Sequence, residues 1–265
     1  MIKLKGDEYD IVRPLVKQLK DLKSFPYSVI ELRSLGGIYV DNKTDVKNVF
    51  ICSKWEIGTL ICDEENMEFN HAVVDYIICL YNIEDKELGM TSLSLNCHPQ
   101  KYWETVISKH IPSTKVDYSN CNVYNYPKET STIIEDKSVL PASYKIERLQ
   151  EHHHVKVKKD WGIKDQFNMQ GFGYLILNGE NIVSACYSDY VGDNHFEMAV
   201  FTAKAYRGKG YGKIVSRAFL KECKNFDYEP SWICSTRNEA SNKLALSLGF
   251  NCKGNCELLS FKKEI

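Results

Sequence analysis

Apolar residues recur along the chain with two periods, one typical of strands and one typical of helices. In the first half, the pattern predicts strands at residues 36–40, 46–52, 55–62 and 91–97, and helices over 11–22, after Asn70 and over 99–107. Residues 117–126 are predicted to form a last strand, and the polar residues 127–137 a linker. The pattern therefore predicts an N-terminal α+β domain over residues 1–138.

The second half repeats this mixture of periods. Strands are predicted at 144–149, 172–177, 182–190, 195–202 and 229–236, with a helical stretch over 155–167. Asn178 and Gly179 predict a type I′ turn between two of these strands. A short helix is predicted to be capped by Asn238 and to end at Gly249. Residues 139–265 are thus expected to form a second domain of α/β class.

The segment Arg207-Gly208-Lys209-Gly210-Tyr211-Gly212 connects the strand at 195–202 to an amphipathic helix. Glycines let the backbone approach a ligand closely, and the first N–H groups of a helix favour an anion. A Walker loop requires Ser or Thr after Gly-Lys, and a dinucleotide-fold loop requires Gly-x-Gly-x-x-Gly followed by an acidic residue. Neither pattern is present, but the chemistry indicated is still a diphosphate held by main-chain amides.

With its flanks, the Arg-x-x-Gly-x-Gly pattern resembles motif A of the GNAT superfamily of acetyl-CoA-dependent N-acetyltransferases. The later segment is similar to a second GNAT signature, Asn-x-x-Ala/Ser-x-x-Leu followed by Gly-Phe, at Asn238, Ser241, Leu244, Gly249 and Phe250. The Pro-x-Trp-x-Cys strand at 230–234 further resembles the branch that includes the zwittermicin A resistance acetyltransferase. This resemblance, most specific over residues 172–250, implies a GNAT fold with a mixed central sheet flanked by helices.

The resemblance also implies that acetyl-CoA is the co-substrate. The coenzyme positions carried over to this sequence are Val200, Phe201 and Thr202 for the pantetheine arm, Arg207, Gly208, Lys209, Gly210, Tyr211 and Gly212 for the pyrophosphate, and Asn238 and Ser241 beside the pantetheine. The N-terminal region has no Arg-x-x-Gly-x-Gly, so no second coenzyme is expected there.

The implied reaction needs a proton acceptor, because an alkyl ammonium with a pKa near 10.4 is mostly protonated at neutral pH. Glu197 is the first candidate, since desolvation in an apolar strand would raise its pKa, although it could equally be an outward-facing strand carboxylate. His195 is the second candidate, and Asp189 could bind the substrate ammonium. Many GNAT enzymes protonate the leaving thiolate with a tyrosine where this chain has Ala245, so the thiolate leaves unassisted or uses another group such as Tyr211.

Composition narrows the choice of partner and compartment. A formal net charge of −1 gives no electrostatic signature for binding nucleic acid or an anionic membrane. The sequence has neither an apolar stretch of membrane-spanning length nor a signal-peptide core, which favours the cytoplasm. Its ten cysteines are expected to be free thiols. We expect no metal at Cys252 and Cys256 or at residues 152–154, three histidines that are predicted to lie on a solvated helix face.

The expected function is N-acetylation of a primary amine of a small molecule, with an aminopolyol-type antibiotic implied by the branch. Two alternatives stay open: a degenerate GNAT that works as an acyl-CoA-binding or interaction module, and a protein or peptide N-acetyltransferase. The N-terminal domain is either a degenerate GNAT-like copy or an unrelated α+β domain that shapes the substrate cleft. No pattern in the sequence identifies the amine or an oligomeric state.

Overall fold

The computed structural model of the chain describes residues 1–53, 57–82, 92–113, 116–128, 140–153 and 171–262. The chain divides into two compact units. The first comprises Met1–Cys121 and Cys256–Ile265, and the second comprises Asn122–Asn255. These limits differ from the single boundary expected at residue 138. Residues 122–138 belong to the second unit, and residues 256–265 belong to the first. None of the described helices combines the length and apolar character that a bilayer crossing requires.

The first unit alternates short helices and strands. Its elements are β1 (Ile2–Lys3), a 3-10 helix (Gly6–Val12), α1 (Arg13–Gln18), α2 (Ser24–Ile30), β2 (Gly36–Val40), β3 (Val49–Ser53), β4 (Ile57–Ile61), α3 (Met67–Asn82), β5 (Ser92–His98), α4 (Gln100–His110) and the start of β6 (Val116–Asn125). The predicted strands and the helix after residue 99 are confirmed within a few residues.

Two helix predictions in this unit need correction. The helix expected over 11–22 ends at Gln18, because Leu19 has a ψ of 139°, which is extended and not helical. Leu22, further along, has a left-handed φ of 57°. The helix expected after Asn70 begins earlier, at Met67. Asn66 caps it by accepting a hydrogen bond from the Phe69 amide at 3.1 Å. Helix α2 was missed because all seven of its residues are buried, which leaves no polar face to reveal the period.

The second unit contains the remaining elements. They are β7 (Tyr144–Arg148), β8 (Gly173–Asn178), β9 (Asn181–Gly192), β10 (His195–Thr202), a 3-10 turn (Lys204–Tyr206), α5 (Tyr211–Asn225), β11 (Glu229–Ser235), α6 (Glu239–Ser247) and β12 (Asn251–Lys262), of which the end belongs to the first unit. The helical stretch predicted over 155–167 lies outside the described residues. The fold class predicted from sequence, α/β with a mixed sheet flanked by helices, is confirmed.

The turn between β8 and β9 differs from the prediction. Its two central residues are Gly179 and Glu180, because Asn178 already pairs with Asn181. Positive φ occurs at Gly179, at 58°, and not at Glu180. A positive φ at the first central residue alone is the requirement of a type II′ turn, so Asn178 belongs to the strand and the turn is not type I′.

The two units share one order of strand pairing. In the first unit β1 to β4 pair antiparallel in sequence order and β4 pairs parallel with β5, with α3 between them. In the second unit β7 to β10 pair antiparallel in the same way and β10 pairs parallel with β11, with α5 between them. A helix follows each parallel strand, α4 in the first unit and α6 in the second.

Each unit has its own hydrophobic core. That of the first unit is built around Phe50, Leu60, Phe69, Trp103 and Ile107. Leu259 and Phe261, near the end of the chain, complete this core, since Leu259 pairs with Leu95 on β5 and both side chains are almost fully buried. The core of the second unit lies mainly between α5 and the sheet, where Phe172, Val215 and Phe219 are buried.

We predict that Leu259→Ala destabilises the protein by about 2–5 kcal/mol, because a fully buried leucine is replaced by a cavity. The matched control is Leu246→Ala, since Leu246 is 56% exposed and its loss should cost less than about 0.5 kcal/mol. Urea unfolding followed by circular dichroism measures both values. Equal stability of the two variants would contradict the role of the chain end in the first core.

Candidate functional site

A glycine loop joins β10 to α5 and forms an open backbone cradle. Gly208 and Gly210 have φ values of 75° and 83°, a left-handed conformation that glycine adopts without strain. A Cβ added to either residue would meet no atom within 4 Å, so the backbone borders open space. Gly210 is the N-cap of α5, and its carbonyl accepts bonds from the Lys213 and Ile214 amides. The amides at the first turn of a helix lack intrahelical carbonyl partners, which suits them to an anion.

Gly212 has a different role from the two glycines before it. A Cβ at this position would lie 3.3 Å from Thr202 Oγ1, 3.5 Å from Leu244 and 3.7 Å from Val200. The missing side chain therefore allows the first turn of α5 to pack closely on the end of β10. This packing fixes where the cradle sits relative to the strand.

Basic side chains surround the cradle. Arg207 is exposed, and its Nε donates to the Thr202 carbonyl at 3.0 Å while its guanidinium lies 6.0 Å from the centre of the Phe201 ring. Lys209 is also exposed, with Nζ 5.6 Å from the centre of the Tyr206 ring. These contacts hold two cationic groups beside the free helix terminus.

Strands β10 and β11 separate part-way along their length. Their parallel pairing runs from His195 opposite Glu229 to Glu197 opposite Ser231 and goes no further, although both strands continue. Strand β10 stays paired with β9 as far as Thr202. Beyond Glu197, the edge of β10 that faces β11 is therefore released from the sheet, and the two strands form a fork that opens towards the glycine cradle.

The corresponding strands of the first unit form no fork. All five residues of β4 pair with β5, from Ile57 opposite Ser94 to Ile61 opposite His98, and the Cys62 amide then donates to the His98 carbonyl at 2.9 Å. The turn before α3 carries Asp63, Glu64 and Glu65 where the second unit has glycines and basic residues. Acidic residues stabilise a helix N-terminus and repel a phosphate.

Two carboxylates lie beside the closed end of the fork. Strand β9 contains a bulge at which Asp189 and Tyr190 stand opposite Glu197, because Phe196 pairs with Val191 and Met198 with Ser188. Strand alternation places Glu197 on the same face as Ala199, which packs with the apolar cluster of Leu149, Leu175, Ile182, Ala185 and Tyr187. The acidic pair thus borders an apolar surface on the face opposite α5.

This environment changes the acidity of both carboxyls. Burial raises the pKa of Asp189 to about 6. Burial, together with the charge of Asp189, raises the pKa of Glu197 to about 8. A carboxyl with such a pKa accepts a proton at neutral pH far more readily than an ordinary glutamate, so Glu197 has the chemistry of a general base.

His195, the second catalytic candidate, is engaged elsewhere. Its Nδ1 lies 3.5 Å from Glu229 Oε2, and the other oxygen of Glu229 forms an ion pair with Lys128 at 2.6 Å. The hydrogen bond from Lys128 is the main reason that the pKa of Glu229 is lowered. The structure therefore places His195 in an ion-pair network at the start of β10, two residues before the fork.

The Asn238 and Ser241 side chains make local structural contacts. Asn238 Oδ1 accepts from the Ser241 amide at 3.1 Å and so caps α6, and Ser241 Oγ accepts from Trp232 Nε1 at 3.0 Å. Asn242 ties the same helix to β6 and β11, because its Oδ1 lies 2.6 Å from the Tyr124 hydroxyl and its Nδ2 donates to the Ser235 carbonyl. These bonds fix α6 against the part of β11 after Ser231, which does not pair with β10.

Ala245 is fully buried in the core of the second unit, so the position that holds a tyrosine in many GNAT enzymes has no polar group here. Tyr211, the other candidate donor, is 8% exposed and stacks on Tyr144 with ring centres 5.4 Å apart. It lies at the start of α5 and packs into the core.

The cysteines and histidines were expected to be structural rather than metal ligands. All ten cysteines are free thiols. Among the described residues, no group of three or more His, Cys, Asp or Glu side chains is arranged to hold a metal ion. The expectation of a solvated face over residues 152–154 is wrong for His153, which is buried and accepts from the Gln150 amide at 3.0 Å.

A match to the family described as GNAT acetyltransferase covers residues 14–259. The chain belongs to this family. It is therefore an acyltransferase, of a family that uses acetyl-CoA as co-substrate. The match extends through both units.

Individual relatives agree with this membership. The chain is 28% identical over 236 residues to an uncharacterized N-acetyltransferase, YdfB, of Bacillus subtilis, with 86% of each chain covered. A GCN5-related N-acetyltransferase-like protein from Streptococcus suis has a similar fold, with a TM-score of 0.70 at 18% identity over 97% of this chain and 99% of that one. A tandem GNAT protein from the clavulanic acid biosynthesis pathway gives a TM-score of 0.66 at 10% identity, over 100% of this chain and 98% of that one.

Sequence reasoning singled out the glycine loop and both acidic residues of the candidate site but missed three structural features beside them. The bulge at Asp189, the end of pairing at Ser231 and two hydrogen bonds of Ser184 all depend on strand register. Ser184 donates to the Phe201 carbonyl and shares a second hydrogen bond with the Thr202 hydroxyl. The local signals were polar residues within a largely apolar strand, among them Ser184, Ser188 and Asp189.

We predict that Gly210→Val weakens the binding of acetyl-CoA by at least about tenfold, equivalent to about 1.4 kcal/mol. Its side chain would project into the open space of the cradle, and its φ of 83° is strained for a branched residue. Gly179→Val is the matched control, since Gly179 also has positive φ and open surroundings but lies in the hairpin turn. Calorimetric titration should show normal binding in the control, and equal loss in both variants would assign the effect to backbone strain.

Proposed function

We propose that this GNAT enzyme transfers the acetyl group of acetyl-CoA to a primary amine of a small molecule. The observation that carries the proposal is the fork between β10 and β11, which opens beside the cradle and closes at a carboxyl of raised pKa. A backbone edge released from its sheet can pair with the amide groups of an extended ligand, as in strand addition. The site therefore offers contacts for a pantetheine arm and, at its end, a proton acceptor.

The coenzyme is assigned to the residues that suit each of its parts. The amides around Gly208, Gly210 and Tyr211 and the side chains of Arg207 and Lys209 would hold the pyrophosphate. Val200, Phe201 and Thr202 would line the arm. The caps made by Asn238 and Ser241 leave these two residues an indirect role, which is to hold α6 beside the free part of β11.

The chain's own groups account for the proton movements. Bound acetyl-CoA supplies an acyl thioester, the acceptor nitrogen forms a bond to the acyl carbon, and the bond from that carbon to sulfur breaks. The proton of the ammonium form leaves to solvent before the attack, and Glu197 takes the proton that the neutral nitrogen loses as it becomes the amide. With Ala245 buried and apolar, no side chain at that position donates a proton, so the thiolate is protonated from solvent, which a thiol pKa near 8.5 permits.

For the first unit we propose a degenerate GNAT-like copy that has lost coenzyme binding. The shared order of strand pairing supports the copy, and the fully paired β4 and β5 and the acidic turn before α3 support the loss. An aminopolyol-type acceptor, suggested by the resemblance to the zwittermicin A resistance branch, is the first compound class to screen, in the cytoplasmic setting that the composition favours.

The function is tested by release of CoA thiol from acetyl-CoA in the presence of a panel of amines. We expect release with amines and none with the corresponding alcohols. Binding of acetyl-CoA without release to any small amine or to lysine peptides would favour the alternative that this is a coenzyme-binding module, and release to peptides alone would favour a protein acetyltransferase.

We predict that Glu197→Gln lowers kcat by about 10²–10⁴-fold while acetyl-CoA affinity stays within about threefold, because only the proton acceptor is removed. Glu239→Gln, on the exposed first turn of α6, is the charge-matched control and should keep full activity. Stopped-flow or steady-state thiol assays with calorimetry give both numbers. A parallel loss of affinity and turnover would assign Glu197 to structure.

The pH dependence of kcat/KM in the wild-type enzyme should also report the ionisation of Glu197. Because Glu197 acts as the carboxylate, kcat/KM should rise with pH and level off above a pKa of about 8. Ionisation of the acceptor amine adds a separate rise near its own pKa of about 10.4. In Glu197→Gln only the second rise should remain. A rise near pH 8 that persists in the variant would show that another group accepts the proton.

A further inference from the structure

Asp189 is a second acid in the proposed active site that the transfer reaction does not use. It stands opposite Glu197 at the bulge of β9, and both residues are only partly accessible. Within the described residues, neither carboxyl has a hydrogen-bond or ion-pair partner. No lysine or arginine contributes to the pKa of either group. A buried charge without a partner is costly, so a cationic group of a bound ligand would stabilise the Asp189 carboxylate.

The reacting amine cannot be the lasting partner of Asp189. To attack the acyl carbon, this nitrogen must lose a proton and become neutral, and as an amide it stays neutral in the product. Asp189, whose pKa of about 6 leaves it ionised at neutral pH, would therefore face no positive charge as the reaction proceeds. A positive charge that stays beside Asp189 throughout the transfer must therefore belong to a group other than the reacting amine.

We propose that Asp189 binds a second cationic group on the acceptor, so that the acceptor is a diamine or an amine with another positive group close to the reacting nitrogen. The inference rests on the proposed function and specifies its substrate class. Opposite residues of an antiparallel pair have Cβ atoms about 5 Å apart, so a reacting nitrogen at Glu197 and a cationic group at Asp189 would be separated by about two to four carbon atoms.

The surroundings of the pair favour this assignment over a purely structural acid. The neighbouring side chains on this face are apolar or aromatic, namely Leu149, Leu175, Ala185, Tyr187 and Ala199. Such a surface strengthens a charge–charge contact by excluding water and accommodates the carbon chain between two amino groups. Burial, together with the nearby charge of Asp189, raises the pKa of the Tyr187 phenol, so the phenol stays neutral.

The test compares 1,3-diaminopropane with 3-amino-1-propanol, which has the same length and one charge fewer. Calorimetric titration of the wild-type protein with CoA present should show at least about tenfold tighter binding of the diamine, as expected for one charge-assisted contact. In Asp189→Asn the two compounds should bind equally. Asp45→Asn, which removes an exposed carboxylate from the first unit, is the control and should keep the preference.

Transfer assays on the same proteins separate this inference from the proposed function. With activity, the diamine should have the higher kcat/KM through its KM. Asp189→Asn should lose that advantage, and its rise of kcat/KM with pH should move to lower pH, because the charge that raises the pKa of Glu197 is removed. Equal binding of the two compounds to the wild type, or no detectable binding of the diamine, would overturn the second-charge site. Preferred binding of the diamine without transfer to any amine would support the site and reject the acetyltransferase function.

Discussion

The end of strand pairing at Glu197 and Ser231 is the constraint on which the rest of the second unit depends. Inside a sheet, every backbone N–H and C=O is satisfied by a neighbouring strand, and such an edge has nothing to offer a ligand. Where β10 leaves β11, its backbone becomes available, while continued pairing with β9 keeps it rigid. The packing of Gly212 on Thr202 then sets the glycine cradle at the open end of the same strand.

The first unit shows what the same topology does without this separation. Strands β4 and β5 pair along the whole of β4, and the helix that follows begins beside Asp63, Glu64 and Glu65. A stable fold needs only the pairing order and a filled core, which residues such as Phe50 and Trp103 provide. Binding an anionic coenzyme needs two further features: strands that separate, and a turn before the helix that carries glycines and basic residues instead of these acidic ones. The stability of the fold and the capacity to bind coenzyme rest on different features, which supports the proposal that the first unit keeps the architecture without the binding site.

The sequence was most informative where local chemistry determines local structure. The Asn238 cap, the left-handed Gly210 and the buried stripe of α5 follow from rules that act within one turn. The sequence was less informative where partners are distant. The bulge at Asp189 depends on register, and the assignment of residues 256–262 to the first unit depends on pairing with β5, more than 150 positions earlier. Helix α2 was hidden because burial on all sides removes the polar half of its period.

Charge is distributed along β10 in a way that orders the two substrates. Arg207 and Lys209 follow its carboxyl end, and Glu197 lies near its amino end beside Asp189. Thr202 lies five positions after Glu197 along the strand, a span of about 17 Å at the usual rise per residue. An anionic acyl donor is favoured at one end of this span and a cationic acceptor at the other. In the proposed reaction, the uncharged thioester and the attacking nitrogen would meet beside Glu197, where the apolar surface favours loss of the amine's proton. The neighbouring Asp189 would bind a second group of the acceptor that keeps its positive charge.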